Sequence, residues 1–351
     1  QAWSEIDSVV VAENVNIFRI KLKFDLPTAT IAMRVPYSYT YLQQTVARIE
    51  KAGIPGISVD TIGQTQEKRN LQIIRVEDKK ADPKEKRPAI LIYVREHATE
   101  PDGSWAADGI LGWLLSDDPN AIRARQQADW LIIPILDPDA VYNAKFSNGD
   151  FFRAVEPVMP EAMTYATYII DSWIDTEHRL DIAINLHNVE CSEGPNLFCP
   201  FVNVVRKPLV QTYNKRLFEV VKASGFTVGD PLGGMEGIQG LRLMGWCYRR
   251  FHTCDITLEL NTRAPGVAMN IYTNEKTGVL IAEQAYAFRM DAACNALFLD
   301  IDAFMAERTN KRIDWWKATG RSPETRNYVD IIGYGYEVSL LQEGGYGYNQ
   351  A

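Results

Sequence analysis

Three short apolar runs punctuate the chain, and each ends in residues able to do chemistry. Ala89-Ile90-Leu91-Ile92-Tyr93-Val94 leads into Arg95-Glu96-His97-Ala98-Thr99-Glu100. Asp181-Ile182-Ala183-Ile184-Asn185-Leu186 leads into His187, and Cys254-Asp255-Ile256-Thr257-Leu258-Glu259-Leu260 carries a carboxylate near its end. Apolar runs of this length predict buried strands, and Leu71 to Val76 reads the same way. Helical periodicity predicts helices over Tyr41 to Ala52 (stopped at Gly53), Glu161 to Leu180, Pro208 to Ser224 and Glu283 to Phe304. Residues 1–35 alternate with period two, as in Ile17 to Phe24 and Thr28 to Met33, which predicts half-buried strands. Lys79 to Arg87, charged and holding Pro83, reads as a solvated turn. From Pro36 onward helices and strands alternate, so the expected fold class is α/β: a mixed central sheet with helices on both faces, preceded by a short β segment.

In such sheets, sites form at the carboxyl ends of strands. His97, Glu100 and His187 all lie there. Two imidazoles and a carboxylate are a ligand set that catalytic zinc uses, with a fourth position open to water. An acid in an apolar strand needs a partner or a task; Glu259, brought beside such a metal, has the chemistry of a general base. The alternative for a single His-x-x-Glu pair is a loop ion pair. His187-Asn188-Val189-Glu190 is a second such pair, which leaves Glu190 as a competing ligand to Glu100.

The ordered set of these motifs resembles the zinc carboxypeptidases, most closely their cytosolic-carboxypeptidase-like branch. The resemblance runs from about Pro36 to Phe304. It rests on His97-x-x-Glu100, on Ser116-Asp117-Asp118-Pro119 after a helix read over Trp105 to Leu115, and on Ile133-Pro134-Ile135-Leu136-Asp137-Pro138-Asp139. His187 and Thr257-x-Glu259 follow, and Val35-Pro36-Tyr37-Ser38-Tyr39 resembles the branch's entry to the catalytic domain. The family-like helix and turn after the first motif favour Glu100 over Glu190. The resemblance implies one Zn²⁺ per chain on His97, Glu100 and His187, with Glu259 as the base. It also implies that Arg153 grips a substrate carboxylate and that Tyr248 contacts substrate. Phe152 stands where the family has an asparagine. Lys145 is the nearest basic residue to the place of a second arginine, and is expected to face the oxyanion; surface charge is the alternative for Lys145 and Arg153, and packing for Tyr248. Arg242, Arg249 and Arg250 precede the base, so an acidic terminal residue on the substrate is expected, with Arg242 among the binding residues; the alternative is that all three lie on a solvated face.

The resemblance divides the chain into a β segment over 1–35 (a remnant of the branch's β-sandwich), a catalytic domain over 36–310 and a C-terminal extension over 311–351, where Gly and Tyr recur. The expected activity is removal of C-terminal residues from peptides. The alternatives are a deacylase acting on N-acyl amino acids or amino sugars, and a binding module that has lost turnover.

Bulk properties narrow the partners. With 46% apolar and 23% charged residues, the chain can build a substantial core and is not expected to be disordered. A formal net charge of −8 argues against general nucleic-acid binding, and no apolar run is long enough to span a membrane. The expected partner is a peptide or amino-acid conjugate; oligomeric state is left open. The chain begins at Gln1, as mature secreted proteins and trimmed chains both do; the compartment is left open, with a periplasmic or secreted one expected slightly ahead of the cytoplasm. Five cysteines define no disulfide framework; Cys191 and Cys199 are either a loop bridge or free thiols.

Overall fold

A computed structural model describes residues 9–12, 17–20, 27–32, 34–78, 87–145, 160–173, 179–188, 207–224, 254–260 and 271–289, with a few single positions besides. A two-stranded antiparallel sheet, β1 (Val9–Ala12) and β2 (Ile17–Ile20), stands at the start. The main sheet among the described residues has six strands: β3 (Ile57–Gln64), β4 (Asn70–Val76), β5 (Pro88–Val94), β6 (Asp129–Ile133), β7 (Arg179–Asn188) and β8 (Cys254–Leu260). Their order is β3-β4-β6-β5-β7-β8. β3, β4 and β6 pair antiparallel, whereas β6, β5, β7 and β8 run parallel. This is the mixed sheet that the alternating pattern predicts.

The helices are α1 (Tyr39–Ala52), α2 (Pro101–Leu114), α3 (Pro119–Gln127), α4 (Pro138–Tyr142), α5 (Pro160–Trp173), α6 (Lys207–Ala223) and α7 (Ile271–Arg289). Their ends follow local chemistry. Ser38 caps α1 by accepting from the Tyr41 N–H at 3.1 Å, and Gly53 closes it in the left-handed conformation. Asp118 and Asp137 cap α3 and α4, each followed by proline at the first helical position. Leu42, Val46 and Ile49 recur at helical spacing on the buried face of α1.

Strand alternation divides the core into two layers. Ile90, Ile92 and Val94 of β5, Ile182, Ile184 and Leu186 of β7, and Ile256, Leu258 and Leu260 of β8 face one side, against α2, α3, α6 and α7. Leu91, Tyr93, Leu131, Ile133 and Ala183 face the other side, against Ala162, Tyr165, Ala166 and Ile169 of α5. On that second side the parallel strands change character toward their carboxyl ends: after Ala183 come Asn185 and His187, and β8 presents Thr257 and Glu259. The site grows from this polar patch.

Several boundaries correct the sequence reading. α5 ends at Trp173, and Leu180 belongs to β7. α7 begins at Ile271 rather than Glu283. Thr28 to Ala32 form no strand and are exposed, because alternation makes a strand only where a partner and a face to bury exist. β3 escapes the sequence pattern because it is an edge strand with an irregular burial rhythm and a register shift between Thr61 and Gly63. The Lys79–Arg87 turn, apart from Arg87, and the tail after 311 lie outside the described residues.

Candidate metal centre

The chain leaves β5 through Arg95, which takes a left-handed φ of 64°. A side chain with a Cβ is strained there, and two contacts hold it. The buried guanidinium donates to the Tyr37 carbonyl at 3.0 Å and to the Ala98 carbonyl. Burial pulls its pKa down to about 10, against the carboxylates of Glu100, Asp102 and Asp137, so it stays charged at neutral pH. Arg95 therefore fixes the turn that carries His97 and Glu100. The Glu100 N–H closes that turn on the His97 carbonyl at 3.2 Å, and α2 starts at Pro101.

A second clamp joins this turn to β7. Asn188 accepts from the Asp102 N–H at 3.0 Å, and its amide donates to Asp102 Oδ2 and to the Leu260 carbonyl; Arg34 pairs with the same Asp102 oxygen at 2.5 Å. Gly103 lets α2 approach closely, since a Cβ there would lie 2.8 Å from the Leu186 carbonyl oxygen. The start of α2 and the ends of β7 and β8 are thus held together.

The result is a convergence of three donors. His97 Nδ1 lies 2.7 Å from Glu100 Oε1, and His187 Nδ1 lies 2.9 Å from Glu100 Oε2. One ligand atom from each of the three residues falls within 4.8 Å of the others. The side chains are 13%, 11% and 3% exposed for His97, Glu100 and His187, so the cluster is largely shielded from solvent. Burial alone would raise the Glu100 pKa, but His187 and His97 beside it hold it down at about 2. Burial would likewise lower the His187 pKa, but Glu100 and Glu96 raise it well above its ordinary value. The carboxylates of Glu100 and Glu96 therefore stabilise positive charge at His187. Two imidazole nitrogens and one carboxylate aimed at a common point fit a divalent zinc ion by donor type and number.

Glu259 sits one strand over. It is half-buried on β8 in register with His187 on β7, on the same face, with strands roughly 4.8 Å apart. Lys145 is exposed on the turn after α4, its N–H bonded to the Ala140 carbonyl; hydrogen bonds from Asn143 and Arg69 hold the nearby Glu67 carboxyl below its usual range, with a smaller contribution from the Lys145 charge. Arg153, Glu190, Arg242, Tyr248, Arg249, Arg250, Cys191 and Cys199 lie outside the described residues.

Residues 43–148 match the family model for zinc carboxypeptidases. That stretch, 43–148, is similar to a zinc carboxypeptidase domain. Human cytosolic carboxypeptidase 6 is 28% identical over 162 residues, covering 43% of this chain and 32% of that protein. Human cytosolic carboxypeptidase 2 is 24% identical over 157 residues, covering 42% of this chain and 17% of that protein. The matched part of this domain thus spans a third or less of those relatives' length. Among solved structures, a metallo-carboxypeptidase from Burkholderia cenocepacia superposes with a TM-score of 0.60 at 17% identity, covering 72% of this chain and 69% of the other. Carboxypeptidase A from Helicoverpa armigera gives 0.56 at 12% identity, covering 76% and 75%. These structures share the fold.

Sequence reasoning passed over the residues that hold the candidate metal centre in shape: Arg95, Glu96, Asp102, Asn185 and Asn188. A signal did exist for some of them. Asn185 stands two positions before His187, so it shares that face of the strand, and it is polar inside an apolar run. Glu96 is a third ionisable group directly before His97. Asp102 and Asn188 gave no such signal, because their partnership spans 86 positions.

Proposed function

We propose that this chain is a zinc-dependent metallocarboxypeptidase that removes residues from the C-terminal end of peptides. The observation that carries the reading is the convergence of His97 Nδ1, Glu100 and His187 Nδ1, with Glu259 in register one strand away. His97, Glu100 and His187 would hold one Zn²⁺, which would supply Lewis acidity to the reaction. Glu259 takes the proton from the attacking water and hands it to the departing amine. Lys145, exposed after α4, offers positive charge to the oxyanion. Arg153 pairs with the substrate's free carboxylate, for which a guanidinium is well shaped, and this confines cleavage to chain ends. Tyr248 contacts the bound residue. Arg242, Arg249 and Arg250 favour an acidic terminal side chain. The family match and the shared fold support the same reaction class.

The test pairs metal analysis with mass spectrometry of digested peptides. Zinc at one per chain and stepwise loss of residues from the C-terminal end are the expected results. Freshly purified protein without zinc, or with zinc but releasing only acyl groups from N-acyl amino acids, would refute the reading.

A further inference from the structure

We infer that Glu96 is a positioning residue for the metal centre: it accepts the hydrogen bond of His187 Nε2 and so turns Nδ1 of that ring toward Glu100 and the metal position. The inference rests on the reading above in requiring a divalent cation on His97, Glu100 and His187.

Glu96 Oε2 lies 3.1 Å from His187 Nε2, and the Asn185 amide donates to the same oxygen at 2.8 Å. All three residues are buried: Glu96 is 1% exposed, Asn185 2% and His187 3%. The other ring nitrogen of His187 is the one 2.9 Å from Glu100. An imidazole presents a lone pair on one nitrogen when its proton sits on the other, and the hydrogen bond made by that other nitrogen decides which. A carboxylate is an acceptor without a proton of its own, so it keeps the proton on Nε2 and leaves Nδ1 for the cation.

The backbone explains how adjacent residues serve two different rings. The left-handed turn at Arg95 sends Glu96 back over the face of β7 that carries Asn185 and His187. His97 follows directly and meets Glu100. Asn185, two positions before His187 on that face, fixes the carboxylate that fixes the ring.

The test uses the full chain, stripped of metal and titrated with zinc against a chromophoric chelator, for wild type, E96M, E96Q, H187A and the double variant E96M/H187A. Cobalt substitution supplies an absorption spectrum that reports ligand geometry independently of turnover. E96M should weaken zinc binding roughly 10- to 100-fold, the range for loss of such a supporting partner. E96Q keeps an acceptor oxygen and should recover part of that loss. E96M/H187A should bind no more weakly than H187A, because Glu96 acts through that ring. E96M within about threefold of wild type, or adding its full loss on top of H187A, would overturn the inference. Should E96M not fold, E96Q decides: it should bind zinc at least about threefold more weakly with a shifted cobalt band, and wild-type values in both would overturn the role. Absence of zinc in wild type counts against the metallocarboxypeptidase reading, whereas zinc in wild type with unchanged Glu96 variants counts against this inference alone.

Discussion

The contact between α2 and α7 offers a sharp test of how tightly this domain is packed. At Gly278 of α7 a Cβ would lie 2.0 Å from the Ala106 carbonyl oxygen and 2.8 Å from its carbon. At Gly109 of α2 a Cβ would lie 2.4 Å from the Glu275 carbonyl oxygen. The obstructing atoms are backbone, so a rotamer change cannot relieve the clash. Restoring ordinary contact would push one helix about 1.4 Å from the other, along a seam lined by Ile110, Ile281, Ala282 and Ala285. Such overpacking is worth about 1–3 kcal/mol, at or above the upper end when backbone must move. Gly278→Ala should therefore lower the urea midpoint with little change in slope. The matched control is Gly112→Ala on the exposed face of α2, where nothing lies within 4 Å of the added Cβ. That change should stabilise by about 0.5–1 kcal/mol, since glycine inside a helix loses more backbone entropy than alanine. The same substitution thus has opposite signs at two sites. A Gly278→Ala variant as stable as wild type, or a Gly112→Ala variant that is less stable, would refute the packing argument.

Three further outcomes follow from the site and the core. Glu259→Gln should retain zinc and lower kcat by roughly 10²- to 10⁴-fold; a kcat within a few-fold of wild type would remove Glu259 from the role of base. Burial raises the Asp129 pKa to about 6 despite Arg87 at 2.6 Å. Because this folded-state value lies above the unfolded one, its contribution is present below about pH 4 and is lost as pH rises through about 6, amounting to about 3 kcal/mol. Asp129→Asn should abolish that part of the pH dependence in urea unfolding at pH 4 and pH 7, and an unchanged difference would count against the assignment. In a peptide series ending in Glu, Lys, Phe and Ala, the Glu peptide should be preferred. Arg242→Gln, Arg249→Gln or Arg250→Gln should cut its kcat/KM roughly 10- to 150-fold, as loss of one charged hydrogen bond does; preference for Lys or Phe would reject an acidic pocket.

Much of this protein is written locally and could be read from the chain. The central strands β5, β7 and β8 are continuous apolar runs because parallel strands are buried on both faces. Their carboxyl ends carry His97, Glu100, His187 and Glu259, so the candidate residues announce themselves by position and type. Ser38, Asp118-Pro119 and Gly53 mark helix ends through bonds that reach only a few residues. Edge strand β3 and the start of α7 were illegible for the opposite reason, since their burial is decided by what packs against them and not by their own periodicity.

What tertiary structure alone decided is which groups meet. His97 and His187 stand 90 positions apart, and nothing in their spacing says that both Nδ1 atoms face one carboxylate. The parallel pairing of β5, β7 and β8 does that, by fixing register and aligning strand ends. The supporting residues depend on it still more. Glu96 reads as one acid among many until the left-handed turn at Arg95 lays it against Asn185 and His187. Asp102 and Asn188 are ordinary polar residues until the sheet and α2 bring them within hydrogen-bond reach. Residue type sets what chemistry is possible and local sequence sets the elements. Only the buried sheet supplies the long-range contacts and the low-dielectric surroundings in which those hydrogen bonds hold a site in place.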